Sequence, residues 1–188
     1  MAVFDPSATA GDDPDDARRG DPAFRLLAAS AVTLFWRPEM LDRTVAVLRA
    51  NGYQIVSLDA SLWTADDRMH AAIADALAFP DPYGANLDAL NDCLRDVVAG
   101  DYGWALDATG LVIVFTAYDV FAAHRRRSAQ LVLDVIASHS RDALLVGRRL
   151  ICLVQTDDPA TEFDPVGAQP VVWNDGEWLA TSREAPGP

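Results

Sequence analysis

Short apolar runs and longer stripes at helical spacing alternate along this chain. The stretch Phe24–Trp36 holds a strand, best defined over Ala31–Trp36 (AVTLFW). Pro38 suits the first turn of a helix. Met40, Leu41, Val45 and Leu48 carry that helix to Ala50, and Asn51-Gly52 stops it. Tyr53–Leu58 (YQIVSL) reads as a strand, followed by a helix near Asp66–Ala78. Asn86 is the expected N-cap of the next helix and Leu87 its first residue, with Leu87, Leu90, Leu94 and Val97 as its apolar stripe. Gly110–Phe115 (GLVIVF) is continuous and β-branched, the pattern of a strand buried on both faces. A short helical stretch follows, then a helix near Ser128–Ser138 with Leu131, Val135 and Ile136 expected inward, then a buried strand at Leu150–Val154. Near the end, Asn174-Asp175-Gly176 is expected to close a small hairpin within residues 171–179.

This alternation predicts an α/β fold, a small and mainly parallel sheet packed with helices. Residues 1–22 are rich in Asp, Gly, Pro and Ala with little to bury, and are expected to be disordered. The 188 residues, half of them hydrophobic, suffice for one sizeable domain with appendages. A net charge of −13 argues against nucleic acid or an anionic membrane as partner, because both would be repelled. All 15 basic residues are Arg. Cys93 and Cys152 stand far apart and are expected to be reduced and buried, in keeping with a cytoplasmic chain that shows no secretion signal. His70, His124 and His139 are isolated from one another, so no metal site and no cofactor is expected.

Charge changes the picture most at residues 80–94, PDPYGANLDALNDCL. Asp88, Asp92 and Asp96 repeat at i, i+4 and i+8 on one helix. Asp is a poor helix former, and like charges at that spacing repel by roughly 0.2–0.5 kcal/mol per pair. Most aspartates on helix faces are simply solvated, and Asp88 near the helix start is even favoured by the dipole. A stripe of three nonetheless suggests a cationic partner. Arg125, Arg126 and Arg127, beside His124, read as a solvated loop or a counter-charge to that stripe. Trp173 and Trp178 are expected to pack on the domain or to form a self-association face.

Within the segment, Tyr83, Gly84, Asn86, Leu87, Asp88, Ala89, Leu90, Asp92, Cys93 and Leu94 follow one dense pattern. From Gln54 to about Thr156 the chain resembles the barstar family, intracellular inhibitors of secreted ribonucleases. The order of elements, with GLVIVFTAYDVFA and LICLV after the motif, agrees. The resemblance implies a barstar-like domain over residues 53–156, a strand-helix addition over 23–52 packed on its core, and an extension over 157–188. It also implies a helix and turn that plug the active site of a basic ribonuclease, with carboxylates in place of the RNA phosphate. In that role Asp92 is the central anion and Asp88 its companion. Tyr83, Gly84 and Asn86 contribute from the turn, and Asn91 from the helix.

Three positions depart from the family pattern. Pro82 stands where relatives often carry a second tyrosine, and Asn91 replaces a large aromatic. Ala137 or Ser138 falls where an accessory acid is expected, with Asp134 one turn earlier. The implied partner is a basic secreted ribonuclease or ribonuclease-type toxin, bound 1:1, that need not resemble barnase closely. Two other readings stay open. One is an adaptor whose acidic helix binds some other basic protein. The other is a hydrolase using Asp88 and Asp92 as a paired acid and base, though no His, Lys or Ser is spaced to complete such a site.

Overall fold

Five strands run parallel in one sheet, in the order β2-β3-β4-β1-β5. The computed structural model describes residues 22–179 and Arg183, so the disorder expected of residues 1–22 lies outside the described residues except at Pro22, which opens a helix. Six α-helices and one 3₁₀ turn are found among those described. Strands β2 (Tyr53–Asp59), β3 (Gly110–Thr116) and β4 (Leu150–Gln155) pair in succession. Strand β1 (Val32–Phe35) lies along β4, with Val32 opposite Cys152 and Leu34 opposite Val154. The two-residue β5 (Val172–Trp173) flanks β1 on its other side. The residues before and after the central three strands therefore widen one continuous sheet.

Period-two alternation divides the strands between two cores. Leu111, Ile113 and Phe115 of β3, with Cys152 and Val154 of β4, enter the larger one. Val112, Val114, Ile151 and Leu153 enter the smaller one on the opposite face. The larger core is closed by α3 (Asp66–Ala76), α4 (Leu87–Ala99), α5 (Tyr118–His124) and α6 (Arg126–Leu145). It also holds an aromatic knot in which Trp63 meets Phe115 and Phe121 edge-on at 5.3 and 5.2 Å. The smaller core is closed by α1 (Pro22–Ala29) and α2 (Pro38–Ala50), through Ala23, Leu41 and Leu48. Burial on both faces is what the unbroken apolar run in β3 requires.

Several boundaries differ from the sequence expectation for physical reasons. Residues 24–29 are helical, not part of a strand. Pro22 opens a segment rich in Ala and Leu, both good helix formers, and only Val32–Phe35 pairs as a strand. Helix α6 spans 20 residues, well beyond 128–138, and its buried face is Ala129, Val132, Leu133, Ile136 and Ala137. Leu131 and Val135 are only half-buried.

The expected hairpin does not form. The turn is present, with Glu177 N–H donating to the Asn174 carbonyl at 2.9 Å, but β5 pairs in parallel with β1 and no strand among the described residues returns antiparallel to it. The turn instead sends the Glu177 side chain inward, where it is fully buried. Its carboxylate accepts from the Trp36 and Arg37 N–H groups at 3.1 and 2.9 Å and from Arg37 Nε at 3.0 Å. Asn174 Nδ2 closes the set with a short bond to it. Helix α2 has no side-chain cap from its own Arg37. Glu177 instead binds the backbone just ahead of the helix, at Trp36 and Arg37, and sets a negative charge at the positive end of the helix dipole. Arg183 then clamps the tail, donating to the carbonyls of Pro159, Glu177 and Trp178 and lying 4.2 Å over the Trp173 ring. Trp173 thus packs on the fold, whereas Trp178 is 66% exposed.

Candidate functional site

The acidic segment is a helix secured at both ends. Asn86 Oδ1 accepts from the Ala89 N–H at 2.9 Å, and its Nδ2 donates to the Gly84 carbonyl at 3.0 Å. This is an N-cap with backbone φ and ψ of −142° and 170°. At the other end Gly100 takes the left-handed conformation, φ 93°, the usual helix stop. Arg148 donates to the Val98 carbonyl there at 2.8 Å, a cation at the negative end of the helix dipole. Leu90, Leu94, Val97 and Val98 are buried and fix the rotation of the helix on the core.

That rotation decides which aspartates are available. Asp88 is exposed and has no ion-pair partner among the described residues. Asp92 has a side chain 65% exposed and shares it with Arg95, which donates to Oδ1 at 2.8 Å. The two carboxylates lie one turn apart on one face. Asp96 is half-buried and accepts from the Tyr102 hydroxyl at 3.2 Å, so the third member of the stripe braces the fold. The counter-charge to Asp92 is its own helix neighbour and not the Arg125–Arg127 run. Arg125 lies 3.9 Å from Asp66, and Arg126 donates to the Glu162 carbonyl and covers the Phe163 ring. The sequence reading missed Arg95; its i, i+3 spacing from Asp92 is the signal for this pair.

The turn before the helix is tied down by aromatic contacts. The Tyr83 hydroxyl lies 2.7 Å from His70 Nδ1, and its ring meets Phe79 edge-on at 5.1 Å. Burial pushes the Tyr83 hydroxyl up to about 12, with the neighbouring Cys93 thiol adding to the rise. Burial likewise holds His70 below its ordinary value, opposed by Asp66. Gly84 does not supply the left-handed residue of this turn; Ala85 does, at φ 46°. The constraint at Gly84 is space, since a Cβ there would lie 3.2 Å from both Ala89 Cβ and Asn86 Nδ2. Pro82 follows Asp81 in a cis peptide bond. Beside the turn is a hollow of about 420 Å³ lined by Asp66, His70, Asn86, Asp88 and Ser128.

Asn91 faces inward more than the resemblance implies. It is half-buried, and its Oδ1 lies 3.1 Å from Nε2 of the buried His139 on α6. No sequence signal joins residues 48 positions apart. Burial keeps His139 below its ordinary value, against the pull of Asp142. On the same helix Asp134 accepts from the Gly167 N–H at 2.8 Å, Ala137 is buried and Ser138 half-buried. Asp134 is thus engaged with the segment after β4. Among the described residues no group of three or more His, Cys, Asp or Glu side chains forms a metal-binding cluster. No helix among them is long and apolar enough to cross a membrane.

The acidic, double-capped helix and the aromatic turn before it lie within the segment bounded by β2 and β4. Residues 53–155, from the start of β2 to the end of β4, match the family described as Barstar (barnase inhibitor). That is more than half of the chain, and the chain belongs to this family. No curated protein matches it.

Proposed function

We propose that this protein inhibits a basic ribonuclease by seating α4 and the turn before it in the enzyme's active site. The observation that carries the reading is the pair Asp88 and Asp92, held in solvent on a rigid helix within the segment that matches the family. A carboxylate accepts the paired N–H donors of an arginine much as a phosphate does. A helix fixed at both ends loses little freedom on binding. Asp92 is the central anion, Asp88 supports it, and Tyr83, Gly84 and Asn86 shape the approach. The hollow walled by Asp66 and Asp88 suits a cationic side chain of the partner. Asn91 acts mainly from behind, holding α4 to α6 through His139.

The net charge of −13 steers a basic partner toward the protein and makes association salt-sensitive. The barnase–barstar pair is itself an established case of such steering. We assign the inhibitor to the cytoplasm of the cell that makes the ribonuclease, in a 1:1 complex, with no catalysis of its own. The test is titration of basic secreted ribonucleases, including those encoded beside this chain, against an RNA-cleavage assay. Stoichiometric inhibition that collapses in Asp92→Ala supports the reading. Equal binding by native protein and Asp92→Ala refutes it.

A further inference from the structure

The sheet face opposite α4 carries an open cleft that ribonuclease inhibition leaves unused. It lies between α1, α2 and the turn after β5 and encloses about 520 Å³, within the range of small-molecule sites. Its walls are apolar, with Leu26 from α1, Phe35 from β1, Met40 and Val47 from α2 and Trp173 from β5. Polar groups break that lining. Thr33, only 2% exposed, stands in the wall, and its hydroxyl has no hydrogen-bond partner among the described residues. A buried hydroxyl left unpaired is costly, and valine would fill the same space without it.

Charge points the same way. Arg25 and Arg43 line the cleft, a local cationic edge on a chain of net charge −13. Arg25 reaches Asp175 at 3.4 Å, with both side chains largely solvated. Arg43 has no ion-pair partner among the described residues. The far wall is set in advance. Asn174, Asp175 and Gly176 form it, and the buried Glu177 beside them is bonded to the start of α2. Little ordering is left to oppose binding.

We propose that this cleft binds a small organic acid with a medium-length apolar body. Its carboxylate is held by Arg43 and by the Thr33 hydroxyl, and its hydrocarbon lies on Phe35, Met40 and Trp173. The site is independent of the ribonuclease reading, because α4 packs on the other face of the sheet.

The test titrates octanoate into the full chain, followed by NMR shifts of the Met40 methyl and the Trp173 indole. Saturable shifts are expected. Arg43→Gln and Thr33→Val each weaken binding by about tenfold. Val47→Trp, at an exposed position on the rim, abolishes it. Octylammonium, with the same tail and opposite charge, does not bind. The proposal is overturned if the shifts do not saturate, if octylammonium binds as tightly as octanoate, or if Arg43→Gln and Thr33→Val bind like the native chain. Ribonuclease inhibition unchanged in all three variants separates this site from the α4 surface, and its loss in Val47→Trp would sink the claim of independence.

Discussion

The two sides of one sheet end in opposite surfaces. On the α4 side, polar groups protrude, with Asp88 and Asp92 standing in solvent on a convex helix. On the α1–α2 side, an apolar hollow is left open with arginines in its lining. The same strands support both, Leu111, Ile113 and Phe115 facing one and Val112 and Val114 the other. Their anchoring differs more than their composition. Helix α4 is capped within its own segment, by Asn86 at one end and Gly100 at the other. Helix α2 depends on Glu177, about 140 residues away. The N-cap of α4 is a bond within its own segment, whereas the start of α2 needs both parts of the chain.

That contrast is tested first where the expected effect is largest. Glu177→Ala strips the carboxylate from two part-buried backbone N–H groups and from Arg37 Nε. It should cost about 3 kcal/mol in urea unfolding. Ribonuclease binding by the protein that remains folded should be untouched; parallel loss of both would merge the two regions into one. Asp92→Ala should do the reverse, losing about 2 kcal/mol or more of binding, roughly thirtyfold. Asp88→Ala should lose less, and neither should shift the urea midpoint appreciably, because both side chains are exposed.

A pH series probes the packing behind α4. Burial holds His70 and His139 below the ordinary imidazole value of 6.5. The unfolded chain therefore binds those protons more readily than the folded one. Their contribution to stability is complete above pH 6.5 and is lost as pH falls from there through the lower folded values. Urea midpoints measured between about pH 7.5 and pH 5 should fall, and His139→Asn should flatten the decline. A midpoint independent of pH would contradict the burial of both rings. The smallest effect is expected at Arg95, which competes with the partner for Asp92. Exposed pairs of this kind are worth about 0.3–0.5 kcal/mol, so Arg95→Ala should tighten ribonuclease binding about twofold, read from the dissociation rate. Weaker binding would mean that Arg95 itself touches the partner.

Local chemistry made most of the fold legible. Pro38, Asn51-Gly52 and Asn86 marked helix ends correctly because caps and stops act within a few residues. The β-branched runs at Tyr53, Gly110 and Leu150 marked three strands for the same reason. What stayed hidden depends on partners far apart in sequence. Residues 171–179 carry good turn chemistry, yet β1 offers a free edge and Glu177 a buried acceptor, so the tail docks in parallel. At the site, the exposure of Asp88 and Asp92 followed from helical phase. The bonds from Tyr83 to His70 and from Asn91 to His139 did not, because each links separate elements.

The place of β1 in the sheet has a consequence for synthesis. It is the first described strand to leave the ribosome, yet both its neighbours come much later, Cys152 about 120 residues after Val32. At roughly 5–20 residues per second, that delay is on the order of ten seconds. For that interval Val32–Phe35, all four buried in the finished fold, has neither of its two flanking strands. The nascent chain thus carries an apolar edge long before its partners, and pairing with a second copy, or capture by a chaperone, has time to begin there.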